Sequence, residues 1–114
     1  MTEPVIYLAL GDSLTAGYGA PPGHGFADLY RILAAAQLQK PIRLVNKGMN
    51  GARAAEVLKR VKSDDNLQQE MKNASIITIT AGGNDMLDAA RQFLNHRDTK
   101  NILRTIRACR RTLQ

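Results

Sequence analysis

Three short apolar runs, separated by stretches of helical periodicity, set the pattern of this chain. Val5 to Leu10 is almost continuously hydrophobic and closes on Gly11-Asp12-Ser13, as a strand buried on both faces does. After a glycine- and proline-rich stretch from Gly17 to Gly25, residues Phe26, Leu29, Tyr30 and Leu33 recur at i, i+3, i+4 and i+7. That spacing predicts a helix over Phe26 to Ala36 with those four side chains inward. Ile42 to Asn46, following Pro41, predicts a second strand. A turn containing Gly48 and Gly51 then leads to a helix over Ala52 to Lys62, with Ala54, Val57, Leu58 and Val61 inward. Beyond the polar break Ser63 to Asn66, Leu67 to Met71 predicts a short helix. Ser75 to Ala81 is the strongest strand signal, ended by Gly82-Gly83-Asn84-Asp85. Helices over Met86 to Leu94 and Thr99 to Leu113 complete the pattern, the second capped by Asp98 or Thr99.

Strands alternating with helices imply right-handed crossovers and a parallel sheet covered on both faces, that is, a three-layer α/β/α sandwich. The 114 residues carry no internal repeat, linker or low-complexity tract, so residues 1–114 are expected to form one domain. In such a sheet the ligand site lies beyond the carboxyl ends of the strands, where short loops and helix N-termini converge.

A composition of 44% hydrophobic and 23% charged residues excludes collagen-like, disordered and coiled-coil chains. The formal net charge is +6, but it is not spread evenly. Arg97, Lys100, Arg104, Arg107, Arg110 and Arg111 face the single acid Asp98, so the stretch from Arg97 to Gln114 carries all but one of the net positive charges. Lys100, Arg104, Arg107 and Arg111 fall on one stripe of the last predicted helix, and Ile102, Ile106, Cys109 and Leu113 on another. The plain reading is a packed surface helix. The rival reading is a non-catalytic basic module that binds a polyanion, nucleic acid or anionic lipid, through this helix. Aromatic residues make up 4% of the chain and none lies in the stripe, which gives base stacking no support.

Cys109 is the single cysteine, so no intrachain disulfide can form, and its place on the apolar stripe suits a core residue. A reducing, cytoplasmic setting is the expectation. Met1 to Pro4 has no basic n-region, and Val5 to Leu10 is too short for a signal core or a membrane span. Secretion with a leader already removed stays open.

The three strand-to-helix loops present Gly11-Asp12-Ser13, Gly48-Met49-Asn50-Gly51 and Gly82-Gly83-Asn84-Asp85 on one rim. A serine between a strand and a helix start has an accessible hydroxyl and a free backbone N–H. With a glycine in the second loop and a carboxamide in the third, the Ser13 N–H, the Gly51 N–H and the Asn84 side chain could together hold an oxyanion. Such a hole points to acyl transfer.

At these residues the chain resembles a known family. Gly11-Asp12-Ser13-Leu14-Thr15-Ala16-Gly17-Tyr18-Gly19 is similar to the first block of the SGNH (GDSL) hydrolases, and Gly82-Gly83-Asn84-Asp85 to their third, at about the family's spacing. Asn46-Lys47-Gly48-Met49-Asn50-Gly51 resembles the second block, with Asn50 where serine is common. The resemblance implies a flavodoxin-like parallel sheet and an esterase or lipase-like activity on a small-molecule ester. It makes Ser13 the nucleophile, and the Ser13 and Gly51 N–H groups with the Asn84 side chain the oxyanion donors. No cofactor is implied.

The family's final Asp-x-x-His block, which supplies the general base, has no counterpart here. The chain therefore reads as the N-terminal portion of such a domain, nearly inactive alone. It is expected either to self-associate or to pair with a missing C-terminal segment, because an incomplete sheet leaves strand edges uncovered. His96 lies about ten residues past Asp85, roughly 15 Å along a helix, and reads as a solvent-facing helix-end residue. His24, between Pro22 and Gly25, reads better as a loop residue than as a substitute base. Asp12 and Asp85 flank the site and are expected to lock turns through backbone N–H groups. Glu56, Asp64, Asp65 and Glu70 read as solvated surface. Thr15 replaces the last glycine of a nucleophile elbow, no phosphate loop or dinucleotide fingerprint is present, and one cysteine with two distant histidines makes no metal cluster.

Overall fold

The computed structural model describes residues 4–96 and 99–113. In chain order they form β1 (Val5–Gly11), α1 (Ser13–Ala16), α2 (Phe26–Leu38), β2 (Ile42–Gly48), α3 (Ala54–Ser63), α4 (Asp65–Asn73), β3 (Ile76–Thr80), α5 (Gly83–His96) and α6 (Thr99–Leu113). The strands make a parallel sheet in the order β2-β1-β3, with Tyr7 opposite Leu44 on one side and Ile76 on the other. β1 is the buried centre: Tyr7, Leu8 and Ala9 are fully enclosed.

Alternation along β1 divides the core into two clusters on opposite faces of the sheet. Tyr7 and Ala9 pack with Ile42 against Ala27, Ala34 and Ala35 of α2. Leu8 and Leu10 pack with Val45 against Leu67 and Met71 of α4 and Val61 of α3. This is the three-layer arrangement that the element order predicts, and α6 packs on α3 and α5.

α2 turns a different face inward from the one its periodicity suggests. Ala27 is buried and Ala34 and Ala35 are half-buried, whereas Phe26, Leu29 and Leu33 are exposed. Phe26 to Leu38 is apolar nearly all round, so the pattern cannot select a face, and the alanines permit the closer approach to the sheet. Tyr30 still reaches the core rim, its ring 5.1 Å from that of Tyr7 in an edge-to-face pair.

α6 also departs from expectation. Cys109 is buried, with Thr105 and Thr112 half-buried beside it, but Ile106 and Leu113 of the predicted apolar stripe are exposed. The side chains of His96, Lys100 and Ile102, and all of Asp98, lie outside the described residues. Glu56, Asp64 and Glu70 are more engaged than solvated surface: Glu56 accepts the Arg53 amide, Asp64 accepts the Leu67 amide and Glu70 pairs with Lys47 at 3.3 Å. Among the described residues no helix is long and apolar enough to cross a membrane.

On its outer side β3 has no strand partner among the described residues, and Ile77 and Ile79 are 39% and 54% exposed. The accessible surface is 8000 Å². A compact monomer of 12.5 kDa is expected to expose only about 6,200 Å².

Candidate active site

Ser13 is the first residue of α1, at the carboxyl end of the central strand. Asp12 is the N-cap: its Oδ1 accepts the Leu14 amide at 3.0 Å, and the residue is only 2% exposed. The same oxygen accepts the Thr80 hydroxyl at 2.7 Å, while the Asp12 amide donates back to Thr80 Oγ1 at 3.2 Å. Thr15 is buried beneath, donating to the Leu10 carbonyl and lying 2.9 Å from the Thr80 hydroxyl. Asp12 is thus committed to holding the turn, as its sequence context suggests. Thr80 carries the cross-strand half of that hold. It reads as an ordinary β-branched strand residue in the sequence, and nothing in its spacing marks it.

The second loop is fixed to the first by backbone and side chain together. The Met49 amide donates to the Gly11 carbonyl at 2.8 Å, and Asn46 Nδ2 donates to the Thr15 carbonyl at 2.8 Å. Gly48 sits so close to α1 that a Cβ there would come within 2.7 Å of the Ala16 Cα. Gly51 has φ +79 and open space around its Cα, an exposed turn whose conformation suits glycine. Asn46, which the sequence places at the end of the second strand and at the start of the stretch resembling the family's second block, makes its tie to the Thr15 carbonyl through its side chain.

The sequence places Asn84 and Asp85 in a loop before a helix that starts at Met86, but α5 begins at Gly83, and its first turn grips the second loop through these two successive side chains. Asn84 Nδ2 donates to the Ala52 carbonyl at 2.8 Å, and Asp85 Oδ1 accepts the Ala54 amide at 2.9 Å. The Asn84 carboxamide therefore lies beside the residue that follows Gly51, with its second N–H left for another acceptor. Asp85, like Asp12, satisfies a backbone N–H. Burial pushes the Cys109 thiol above its usual range, and the nearby Asp85 carboxylate adds to the shift. Arg53, flanking the second loop, pairs with Asp88 of α5 and is raised further above its already high range chiefly by that bond.

The three loops are thus tied pairwise into one rim around Ser13, which is half-buried, with Leu14 and Tyr18 exposed beside it. Among the described residues no side chain bonds to the Ser13 hydroxyl. His24 is exposed, and its Nδ1 lies 3.2 Å from the Pro22 carbonyl of its own loop.

A parallel sheet whose central strand runs into Gly-Asp-Ser, flanked by helices on both faces, is the α/β architecture of the SGNH hydrolases. The chain belongs to the GDSL-like lipase/acylhydrolase family, whose model matches residues 9–113. It is 30% identical over 106 residues to the spore germination lipase LipC of Bacillus licheniformis, covering 92% of this chain and 50% of that protein. It is 32% identical over 93 residues to the uncharacterized protein YpmR of Bacillus subtilis, covering 79% of this chain and 35% of that one. Among solved structures, the lipase Lip_vut3 from a goat rumen metagenome superposes with a TM-score of 0.89 at 29% identity, over 96% of this chain and 52% of the other. The SGNH-hydrolase esterase AlinE4 gives a TM-score of 0.64 at 29% identity, over 95% and 56%. The chain spans a third to a half of the length of the curated relatives it matches.

Proposed function

We propose that this chain carries the nucleophile and oxyanion half of a serine ester hydrolase, with Ser13 as the attacking residue. The observation that supports this best is the mutual anchoring of the three loops, which brings the Ser13 turn, the Gly51 turn and the Asn84 carboxamide onto one rim. Ser13 Oγ attacks the ester carbonyl carbon and passes its proton to a base. The negative charge developing on the carbonyl oxygen is met by the Ser13 and Gly51 N–H groups and the free N–H of Asn84. The C–O bond then breaks, the alcohol leaves with the proton, and water releases the acid from the acyl-serine. The lipase and esterase names of the relatives favour the same class of substrate, and exposed Leu14 and Tyr18 give the mouth an apolar border.

His24 is bonded within its own loop and is not proposed as the base. With no base assigned among these residues, the Ser13 alcohol turns over slowly, on the order of 10⁴ to 10⁶ below a site that has one. The test is a fluorophosphonate probe with mass-spectrometric mapping, run beside p-nitrophenyl acetate hydrolysis, on the wild-type chain and Ser13→Ala. An adduct on Ser13 that grows when the C-terminal part of a full-length relative is added in trans supports the reading. Labelling unchanged in Ser13→Ala, or absent even with the added segment, overturns it.

A further inference from the structure

At 100° per residue, α6 divides sharply around its axis. Cys109 is buried with Thr105 and Thr112 half-buried beside it, and on the far side stand Leu103, Arg104, Arg107, Arg110 and Arg111, all exposed. Taking Leu103 as the reference, Arg110 and Arg107 lie about 20° and 40° to either side, and Arg111 and Arg104 about 80° and 100° round. Leu103, Arg104, Arg107 and Arg111 enclose a shallow groove of about 400 Å³. From Leu103 to Leu113 the sequence contains no acid, so this face concentrates positive charge on a chain that elsewhere is nearly neutral.

We propose that this face of α6 docks on an anionic lipid surface. Charge alone would suit any polyanion, and the apolar neighbours decide between them. Leu103, 52% exposed, sits among the arginines, and Ile106 and Leu113 are exposed along their flank. α5, packed against α6, exposes Leu94 at 75% and Leu87 at 55%. A helix that sets leucine between arginines fits an interface where guanidinium groups meet lipid phosphates and aliphatic side chains enter the acyl boundary. Nucleic acid offers no apolar phase for Leu103, and α6 has no aromatic residue on which a base could stack. The surface would bring the chain to the phase in which long-chain esters reside. The proposal itself stands apart from the hydrolase reading, because it is tested by binding and not by turnover.

The experiment is co-sedimentation of the 114-residue chain with vesicles of phosphatidylcholine alone and of phosphatidylcholine mixed with phosphatidylglycerol. It is run at about 0.05 and 0.5 M salt, beside fluorescence anisotropy with a duplex DNA oligomer. The expected result is at least tenfold stronger partitioning onto the anionic vesicles at low salt, lost in Arg104→Glu/Arg107→Glu/Arg111→Glu. Leu103→Ser should weaken the partitioning that survives high salt several-fold. Arg104→Gln/Arg107→Gln/Arg111→Gln, which removes charge without adding repulsion, carries the test if the glutamate variant does not fold. Equal binding to both vesicle types, undiminished binding by the glutamine variant, or tighter binding to DNA with no effect of Leu103→Ser would each overturn the proposal.

Discussion

The Thr80 hydroxyl donates to Asp12 Oδ1 at 2.7 Å, so the last residue of β3 holds the residue that precedes Ser13. The contact spans 68 positions of sequence and joins the carboxyl ends of two neighbouring strands. Asp12 is 2% exposed and cannot recover the lost partner from bulk water. Thr80→Val, which keeps the shape and removes the donor, should cost about 1–3 kcal/mol in denaturant unfolding, and Thr80→Ser should restore most of it. Equal stability of Thr80→Val and the wild type would show that the hydroxyl does not support the turn.

Two glycines of the second loop should respond differently to alanine. A Cβ at Gly48 meets the backbone of Ala16, which cannot move without displacing α1. Gly48→Ala should destabilise by about 3 kcal/mol or more, at the upper end of overpacking. At Gly51 a methyl group would meet nothing within 4 Å, so Gly51→Ala carries only the strain of its φ of +79, about 1–2 kcal/mol. Thermal unfolding of the two variants side by side reads the difference, and the reverse order would count against the close approach of β2 to α1.

The junction of α3 and α4 should make part of the stability pH-dependent. Asp64 accepts the Leu67 amide at 3.0 Å, which holds its carboxyl below the ordinary 3.8, with Arg60 assisting. A depressed value in the folded state means that the benefit is complete above the unfolded-state value and is lost as pH falls through the folded one. The Tm advantage of wild type over Asp64→Asn should therefore be largest above about pH 5 and shrink on acidification towards about pH 3. An advantage that persists unchanged in acid would mean that the charge contributes nothing.

Much of this was legible in the sequence, and the failures are instructive. β1 read correctly because a buried parallel strand is a nearly continuous apolar run, β3 because Ile and Thr favour strands even where they are only half-buried or exposed, and α6 spans the residues its periodicity predicts. The loops carrying Ser13, Gly51 and Asn84 stood out because short polar and glycine clusters interrupt apolar runs. The inward face of α2 did not, since Leu29, Ile32 and Leu33 are as apolar as the alanines that pack on the sheet. Thr80 escaped notice because its work is a hydrogen bond to a distant side chain, and sequence spacing carries no sign of a partner tens of residues away.

The outer edge of β3 should drive self-association. With no strand partner on its outer side among the described residues and with Ile77 and Ile79 exposed, β3 offers unpaired backbone and apolar side chains to a second copy. Sedimentation velocity should show mass rising with concentration, and Ile77→Thr/Ile79→Thr should lower that tendency. A chain that stays monomeric across the accessible range would show that the edge is adequately protected by its neighbours.

The position of β1 has a consequence for how the chain is made. β1 is synthesised before the two strands that flank it, and Tyr7 must wait for Leu44 and then for Ile76 before both its edges are paired. A nascent chain emerging from the ribosome therefore holds this apolar strand without its second neighbour until β3 has followed. Slower translation between Gly48 and Ser75 would lengthen that exposure, and binding of Val5–Gly11 by a holdase chaperone during synthesis is the expected cellular response.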